Sequence, residues 1–357
     1  MTLRRHAVAL LPGDGIGREV LPAATAVLDA AGGRYGFALD YDEVPWGCEH
    51  YTRTGAMMPP DGLERLRAAD AILLGAVGHP DVPDHVSLWG LLIPIRRQFR
   101  QYVNLRPIRL FEGVEGPLRG RGPADLDMVI VRENNEGEYS QVGGRLYEGS
   151  DDEVAVQQSI FTRHGVDRIL DYAFALAAQR SGRLASATKS NGIIHTMPFW
   201  DERFAAAGER NPGVTTEQLH IDALAAALVL DPRRFDVIVA SNLFGDILSD
   251  LAAAAAGSIG MAPSANLNPE REFPSMFEPV HGSAPDIAGR GIANPVGAIW
   301  SGALMLEHLG EEEAADALLD AVAGLLADGL RTPDLGGTAT TAEFGAAAAR
   351  EAGSAGP

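Results

Sequence analysis

The sequence predicts an α/β fold in two domains. Short apolar runs of strand length alternate with stretches of helical period along most of the chain, the pattern of an α/β architecture. The first such run, residues 6–11, ends in Pro12-Gly13-Asp14-Gly15-Ile16-Gly17 and leads into a helix over about 18–31. Those glycines fit GxGxG and not GxGxxG, so this strand–turn–helix unit is not a Rossmann fingerprint, and alone it is a weak cofactor signal beside a plain tight turn. At 357 residues the chain exceeds the usual single-domain size, and 46% hydrophobic residues are enough for a large core.

The elements follow in order. Strands are expected at 39–44 and 71–75, with a short helix at 61–68 between them. Residues 87–100 read as a helix with Leu88, Leu91, Leu92 and Ile95 on its apolar side and Arg96 and Arg97 near its end. Asn104-Leu105-Arg106-Pro107 restarts extended structure, 113–125 is a Gly/Pro-rich loop, and 128–131 is a buried strand ending in Arg132. Residues 141–156 carry turn signals at Gly143-Gly144 and Gly149-Ser150 and read as a hairpin or arm suited to a subunit contact. Helices are expected at 163–180, 196–207 and 223–230, and strands at 184–188, 215–219 and 237–240. Residues 278–286 are loop-like; helices resume at 296–309, 311–326 and 341–349, and 351–357 should fray.

Composition excludes several classes. With 29 basic against 48 acidic residues the net charge is −19, which disfavours nucleic acid and anionic membrane as partners. No apolar run is long enough to span a bilayer, and the chain begins on a short strand rather than a signal-peptide core. The single cysteine, Cys48, excludes an intrachain disulfide and cysteine zinc sites; a buried thiol in a reducing cytoplasm is expected. An anionic substrate would need a local positive site, and Arg96, Arg97, Arg100, Arg106 and Arg109 fall close together.

Two patterns carry chemistry. In Ser241-Asn242-Leu243-Phe244-Gly245-Asp246-Ile247-Leu248-Ser249-Asp250, the two aspartates lie four apart after a buried strand. At about 100° per residue they share one helix face, where they repel by roughly a few tenths of a kcal/mol unless a cation joins them. Mg²⁺ or Mn²⁺ suits such a pair, because these ions take one or two carboxylates and complete their shell with water and substrate oxygens. A solvated acidic face is the alternative, which apolar Phe244, Ile247, Leu248 and Leu251 oppose. Second, Lys189 is the only lysine, at the end of a strand, in a chain that otherwise uses arginine. An amine can lose its proton where a guanidinium cannot, which suggests a general base.

At Lys189, Asp222 and residues 241–250 the chain resembles the β-decarboxylating dehydrogenases of 2R-hydroxy acids, the isocitrate/isopropylmalate dehydrogenase family. The resemblance runs from LLPGDGIGREV (10–20) through NLRP (104–107), SNLFGDILSD (241–250) and EPVHGSAPDIAGRGIANP (278–295) to DLGGTATTAEF (334–344). WGCEHY (46–51), RENNEGEYS (132–140) and KSNGIIHTMPFWDERF (189–204) place it nearest the tartrate and D-malate branch. Arg97, and RENNEGEYSQVGG around the tyrosine, depart from the isopropylmalate pattern.

The resemblance implies an isopropylmalate dehydrogenase-like two-domain fold, not Rossmann, with one domain from 1–104 and 262–357 and a central domain, 105–261, making the dimer contact. It implies NAD as cofactor, held by Glu278, His281, Gly282, Ser283, Ala284, Asp286, Ile287 and Asn294, with Asp286 on the adenosine ribose, where a carboxylate would repel the 2′-phosphate of NADP. Arg96, Arg106 and Arg132 match the carboxylate-binding arginines, Tyr139 and Lys189 the catalytic pair, and Asp222, Asp246 and Asp250 the Mg²⁺ or Mn²⁺ ligands; a monovalent cation such as K⁺ stays open. In the family, Lys189 and Asp222 reach the site from the other subunit, so a homodimer with shared active sites is implied. Leu92, with Trp89 one turn before it, would favour a substrate with little on C3. The expected reaction is oxidative decarboxylation of a 2R-hydroxy dicarboxylate, D-malate or tartrate. The alternatives are 3-isopropylmalate or isocitrate as substrate, or a non-catalytic regulatory subunit, which the presence of every acid, base and metal group opposes.

Overall fold

The computed structural model describes residues 3–354. The chain forms two compact units: the described parts of Met1–Gln101, Arg109–Pro123 and Ala253–Pro357 make the first, and Tyr102–Ile108 with Ala124–Ala252 the second.

In the first unit five strands lie side by side in the order Phe37–Glu43, Arg4–Gly13, Ala71–Ala76, Ser275–Pro279, Pro263–Leu267. The first four are parallel and the last is antiparallel to its neighbour. Ala71–Ala76 is buried at every position, as a continuous apolar run in a parallel sheet should be. The helix Val296–Leu309 is apolar on nearly all sides and buried accordingly. Cys48 is buried, as expected.

The helix expected at 87–100 begins earlier and is built in three pieces: Asp84–Ser87, a π-helical turn Leu88–Leu92, and Ile93–Gln98. A π turn inserts one residue into the helical register. Leu91 and Ile95, four apart and so on one helix face, both reach the core with Trp46, Cys48 and Phe99, Leu92 packs half-buried on its edge, and Arg96 is buried.

In the second unit the strand order is Val103–Arg109, Asp127–Glu133, Val237–Ala240, Arg183–Thr188, Thr215–His220. The last four are parallel, so their carboxyl ends share one edge, where such sheets place ligand-binding groups. Register then sets two neighbourhoods. Ala240 pairs with Arg132, so the helix Asn242–Ala255 starts beside that arginine. Thr188 pairs with His220, so Lys189 emerges beside the helix Ile221–Leu230 and its Asp222.

The hairpin is present as Gly143–Leu146 paired with Val154–Gln157, and Val142, Leu146, Tyr147, Val154 and Val156 on and around it are exposed. The tail expected to fray is helical through Gly353; residues 355–357 lie outside the described ones. Among the described residues no helix is long and apolar enough to cross a membrane.

Candidate active site

In the second unit, charged groups converge on Asp246. Arg132, 2% exposed, donates to Asp246 Oδ1 through Nη1 (2.5 Å) and to Asn242 Oδ1 through Nη2 (2.6 Å). Arg106 Nη1 lies 3.2 Å from Asp246 Oδ1 and 3.5 Å from Asp250 Oδ1, and donates to Ser249 Oγ at 2.6 Å. Tyr139 Oη donates to Asp246 Oδ2 at 3.2 Å, and the Arg132 guanidinium lies over the tyrosine ring at 5.6 Å. Burial pushes the Asp250 carboxyl above its ordinary value; the arginines oppose this and Asp246 adds to it. Burial and the Asp246 charge raise the Tyr139 hydroxyl, keeping it a proton-bearing group at neutral pH.

Gly245 makes this packing possible. A Cβ there would lie 2.6 Å from Cβ and Cγ of Arg132. A glycine inside a helix costs about 1 kcal/mol against alanine, and that oddity in LFGDI is the signal by which the sequence could have shown it.

Lys189 and Asp222 stand differently. Nζ of Lys189 is 2.5 Å from Asp222 Oδ1, with the aspartate side chain 68% exposed. The hydrogen bond from Lys189 holds the Asp222 carboxyl below its ordinary range. Among the described residues no three acidic, His or Cys groups gather as a metal centre. Asp246 and Asp250 nonetheless fit a hard divalent cation: two carboxylates one helical turn apart, one of them resisting ionisation beside the other.

In the first unit Arg96 Nη2 donates to Glu278 Oε1 at 2.7 Å, and the same oxygen accepts from Asn266 Nδ2 at 2.8 Å. Both Arg96 and Glu278 are nearly buried, and Arg96 Nε is buried without a hydrogen-bond partner. Glu278, expected on the cofactor, is thus engaged as the counterion of Arg96. Leu92 sits one turn before Arg96, and Trp89 lies under the Arg97 guanidinium at 4.9 Å.

The glycine turn and the loop after 281 are built from backbone. Gly13 and Gly15 have φ of +67° and +51°, and a Cβ would meet Ala76 O at 1.9 Å and Ser283 O at 2.0 Å, so only glycine fits. Ile16 N donates to Ser283 O at 2.9 Å, fastening turn to loop. Asp14, buried, accepts from the backbone N–H groups of Cys48 and Gly78. Gly282, Ser283 and Ala284 line an open cavity of about 530 Å³ with Gly78, His79 and Asp84 and with Val77, Val82 and Pro83. Ala284 has φ +40°, and Ile287 N donates back to its carbonyl. Asp286 is exposed just beyond this cavity. Burial lowers the His281 imidazole; its Nδ1 is 3.0 Å from Gly282 O and its Nε2 is buried with no partner. Asn294 is used at both ends, Oδ1 by Val296 N and Nδ2 by Asp334. Glu19, not singled out from the sequence, accepts from Gly289 N and Gly291 N and holds the far side of the loop.

The family model "Isocitrate/isopropylmalate dehydrogenase" matches residues 7–348. The chain is 58% identical over 342 residues to the D-malate dehydrogenase [decarboxylating] of Escherichia coli, covering 94% of this chain and 95% of the relative. It is 57% identical over 349 residues to the tartrate dehydrogenase/decarboxylase of Pseudomonas putida, covering 95% and 96%. Among solved structures it is similar to the isocitrate dehydrogenase of Methylococcus capsulatus, with a TM-score of 0.89, 34% identity and coverage of 98% and 100%. It is also similar to a beta-decarboxylating dehydrogenase of Thermococcus kodakarensis, with a TM-score of 0.77, 38% identity and coverage of 97% and 96%.

Proposed function

The chain belongs to the isocitrate/isopropylmalate dehydrogenase family and is a decarboxylating dehydrogenase of hydroxy acids, and we propose that it oxidises D-malate to pyruvate and CO₂ with NAD, with tartrate as a further substrate. The observation that carries this reading is the cluster on Asp246, where two arginines, a tyrosine and a second carboxylate converge.

Arg96, Arg106 and Arg132 bind the substrate carboxylates through paired, charge-assisted hydrogen bonds. Their burial fixes each guanidinium before substrate arrives, so little ordering remains to be done on binding. Asp246 and Asp250, with Asp222 from a second copy, would hold a divalent ion, which supplies charge withdrawal from the hydroxyl and carbonyl oxygen. Gly282, Ser283, Ala284 and Asp286 would hold NAD, which would supply the acceptor for the hydride leaving C2. Lys189 takes the hydroxyl proton. Once the carboxylate β to the new carbonyl has left as CO₂, Tyr139, protonated at neutral pH, returns a proton to C3. In this reading the working form is a cytoplasmic homodimer, with the exposed apolar hairpin as part of its contact.

In this reading Leu92 selects against substituents on C3, which favours malate over isopropylmalate; Leu92→Ser should lower D-malate turnover, and unchanged kinetics on every substrate would remove this role. The reading is tested by NADH formation with Mn²⁺ on D-malate, L-tartrate, 3-isopropylmalate and isocitrate, with pyruvate assayed. D-malate fastest with matching pyruvate is expected. Isopropylmalate or isocitrate fastest would overturn the substrate, and NADH from none of them would overturn the activity.

A further inference from the structure

Between Arg132 and Tyr139 the chain carries three glutamates that the reaction does not use, each bound to main chain. Glu133 accepts from Asn135 N and Glu136 N. Glu136 accepts from Thr162 N and Oγ1, both at 2.7 Å, at the start of the helix Arg163–Gln179. Glu138 reaches the start of the helix Asn242–Ala255: its Oε1 accepts from Ser241 Oγ at 2.8 Å and its Oε2 from Leu243 N at 3.0 Å. Gly137, with φ +87°, turns the chain between Glu136 and Glu138.

The contact at Leu243 is chemically specific. An N–H in the first turn has no partner inside its own helix, and a carboxylate there is favoured both as acceptor and by the helix dipole. The next residue, Tyr139, donates to Asp246, one turn further along the same helix. Two adjacent residues thus grip one helix at two points three residues apart.

We propose that Glu138 is a positioning residue: it fixes the Tyr139 hydroxyl against Asp246 by anchoring the tyrosine's segment to the first turn of the helix that carries Asp246 and Asp250. The inference rests on Tyr139 as the proton donor to C3. Both carboxylate oxygens of Glu138 are engaged by Ser241 and Leu243, and it acts through the place it gives Tyr139.

The test uses the full-length enzyme with D-malate, NAD and Mn²⁺, comparing Glu138→Ala, Glu138→Gln, Tyr139→Phe and the Glu138→Ala/Tyr139→Phe double variant. Glutamine keeps an acceptor for Leu243 N and an N–H for Ser241 Oγ. Glu138→Ala should lower kcat about ten- to a hundredfold, the scale of a misplaced reacting group, with KM for malate and NAD within about twofold. Glu138→Gln should restore most of kcat, and Glu138→Ala should add nothing once Tyr139 is phenylalanine. Should Glu138→Ala fail to fold, Glu138→Asp, one methylene short, serves the same comparison. Unchanged kcat in Glu138→Ala, no rescue by glutamine, or a fully additive double variant overturns the inference alone. A Tyr139→Phe enzyme that turns over like the parent overturns the reading of Tyr139, and the inference with it.

Discussion

Asp246 and the Lys189–Asp222 pair lie in the same unit, at the carboxyl ends of neighbouring strands, and are held in opposite ways. Asp246 is clasped by two buried arginines and a tyrosine, and the helix beneath it is pinned at its first turn by Glu138. Lys189 and Asp222 pair with one another, with the aspartate largely in water. A water-exposed ion pair of that kind contributes little to stability, so stability does not account for placing the chain's single lysine there. The Asp246 cluster is held in place by its own chain, whereas the Lys189–Asp222 pair faces outward; in the proposed reading a second copy uses that exposed pair.

The largest effect is expected from Lys189→Arg, which keeps the charge and the ion pair but offers no group that can take a proton: oxidation should fall by about 10³-fold or more while NAD binding, followed by ligand fluorescence, is retained. Oxidation at the parent rate would show that the exposed pair has no part in proton transfer.

Next is Gly245→Ala on the clasped side. The added methyl must displace Arg132, and kcat/KM should drop on the order of 10²-fold even though alanine is the better helix former. A more stable and fully active variant would show that Arg132 does not need this close approach.

A smaller effect concerns stability. Glu133 is buried at the end of the strand that carries Arg132, and burial pushes its carboxyl up to about 7. The folded state then binds a proton that the unfolded state releases near its ordinary value, so stability falls as pH rises from about 4.5 to about 7. Glu133→Gln should flatten that slope and gain on the order of 3 kcal/mol at pH 8 relative to pH 4. Parallel stability curves for parent and variant would contradict it.

The same contrast explains what the sequence could disclose. Asp246 and Asp250 were legible because a spacing of four on a helix is a one-dimensional signal, and the strand Val237–Ala240 and helix Val296–Leu309 because their apolar runs have clear ends. The helix Cys48–Thr54 has one buried residue in seven and no apolar stripe to announce it. The strands Pro263–Leu267 and Ser275–Pro279 are short, interrupted by polar residues and proline, and buried on both faces, so no alternation shows. The π turn at Leu88–Leu92 changes register without changing composition. Gly245 against Arg132, Glu138 on Leu243 N and Glu278 on Arg96 are contacts between segments far apart in the chain, which no local pattern encodes.

The claim that these two regions act on one substrate from different copies is tested most directly by subunit complementation. Lys189→Ala and Asp246→Asn enzymes are each inactive in this account, since each lacks one half of every site. Unfolded together and refolded, they should form hybrid dimers in which one site carries both defects and the other is intact, restoring about a quarter of parent activity with D-malate and NAD. A mixture as inactive as its components, with hybrid dimers shown to be present, would place both halves of the site in a single chain and contradict the account.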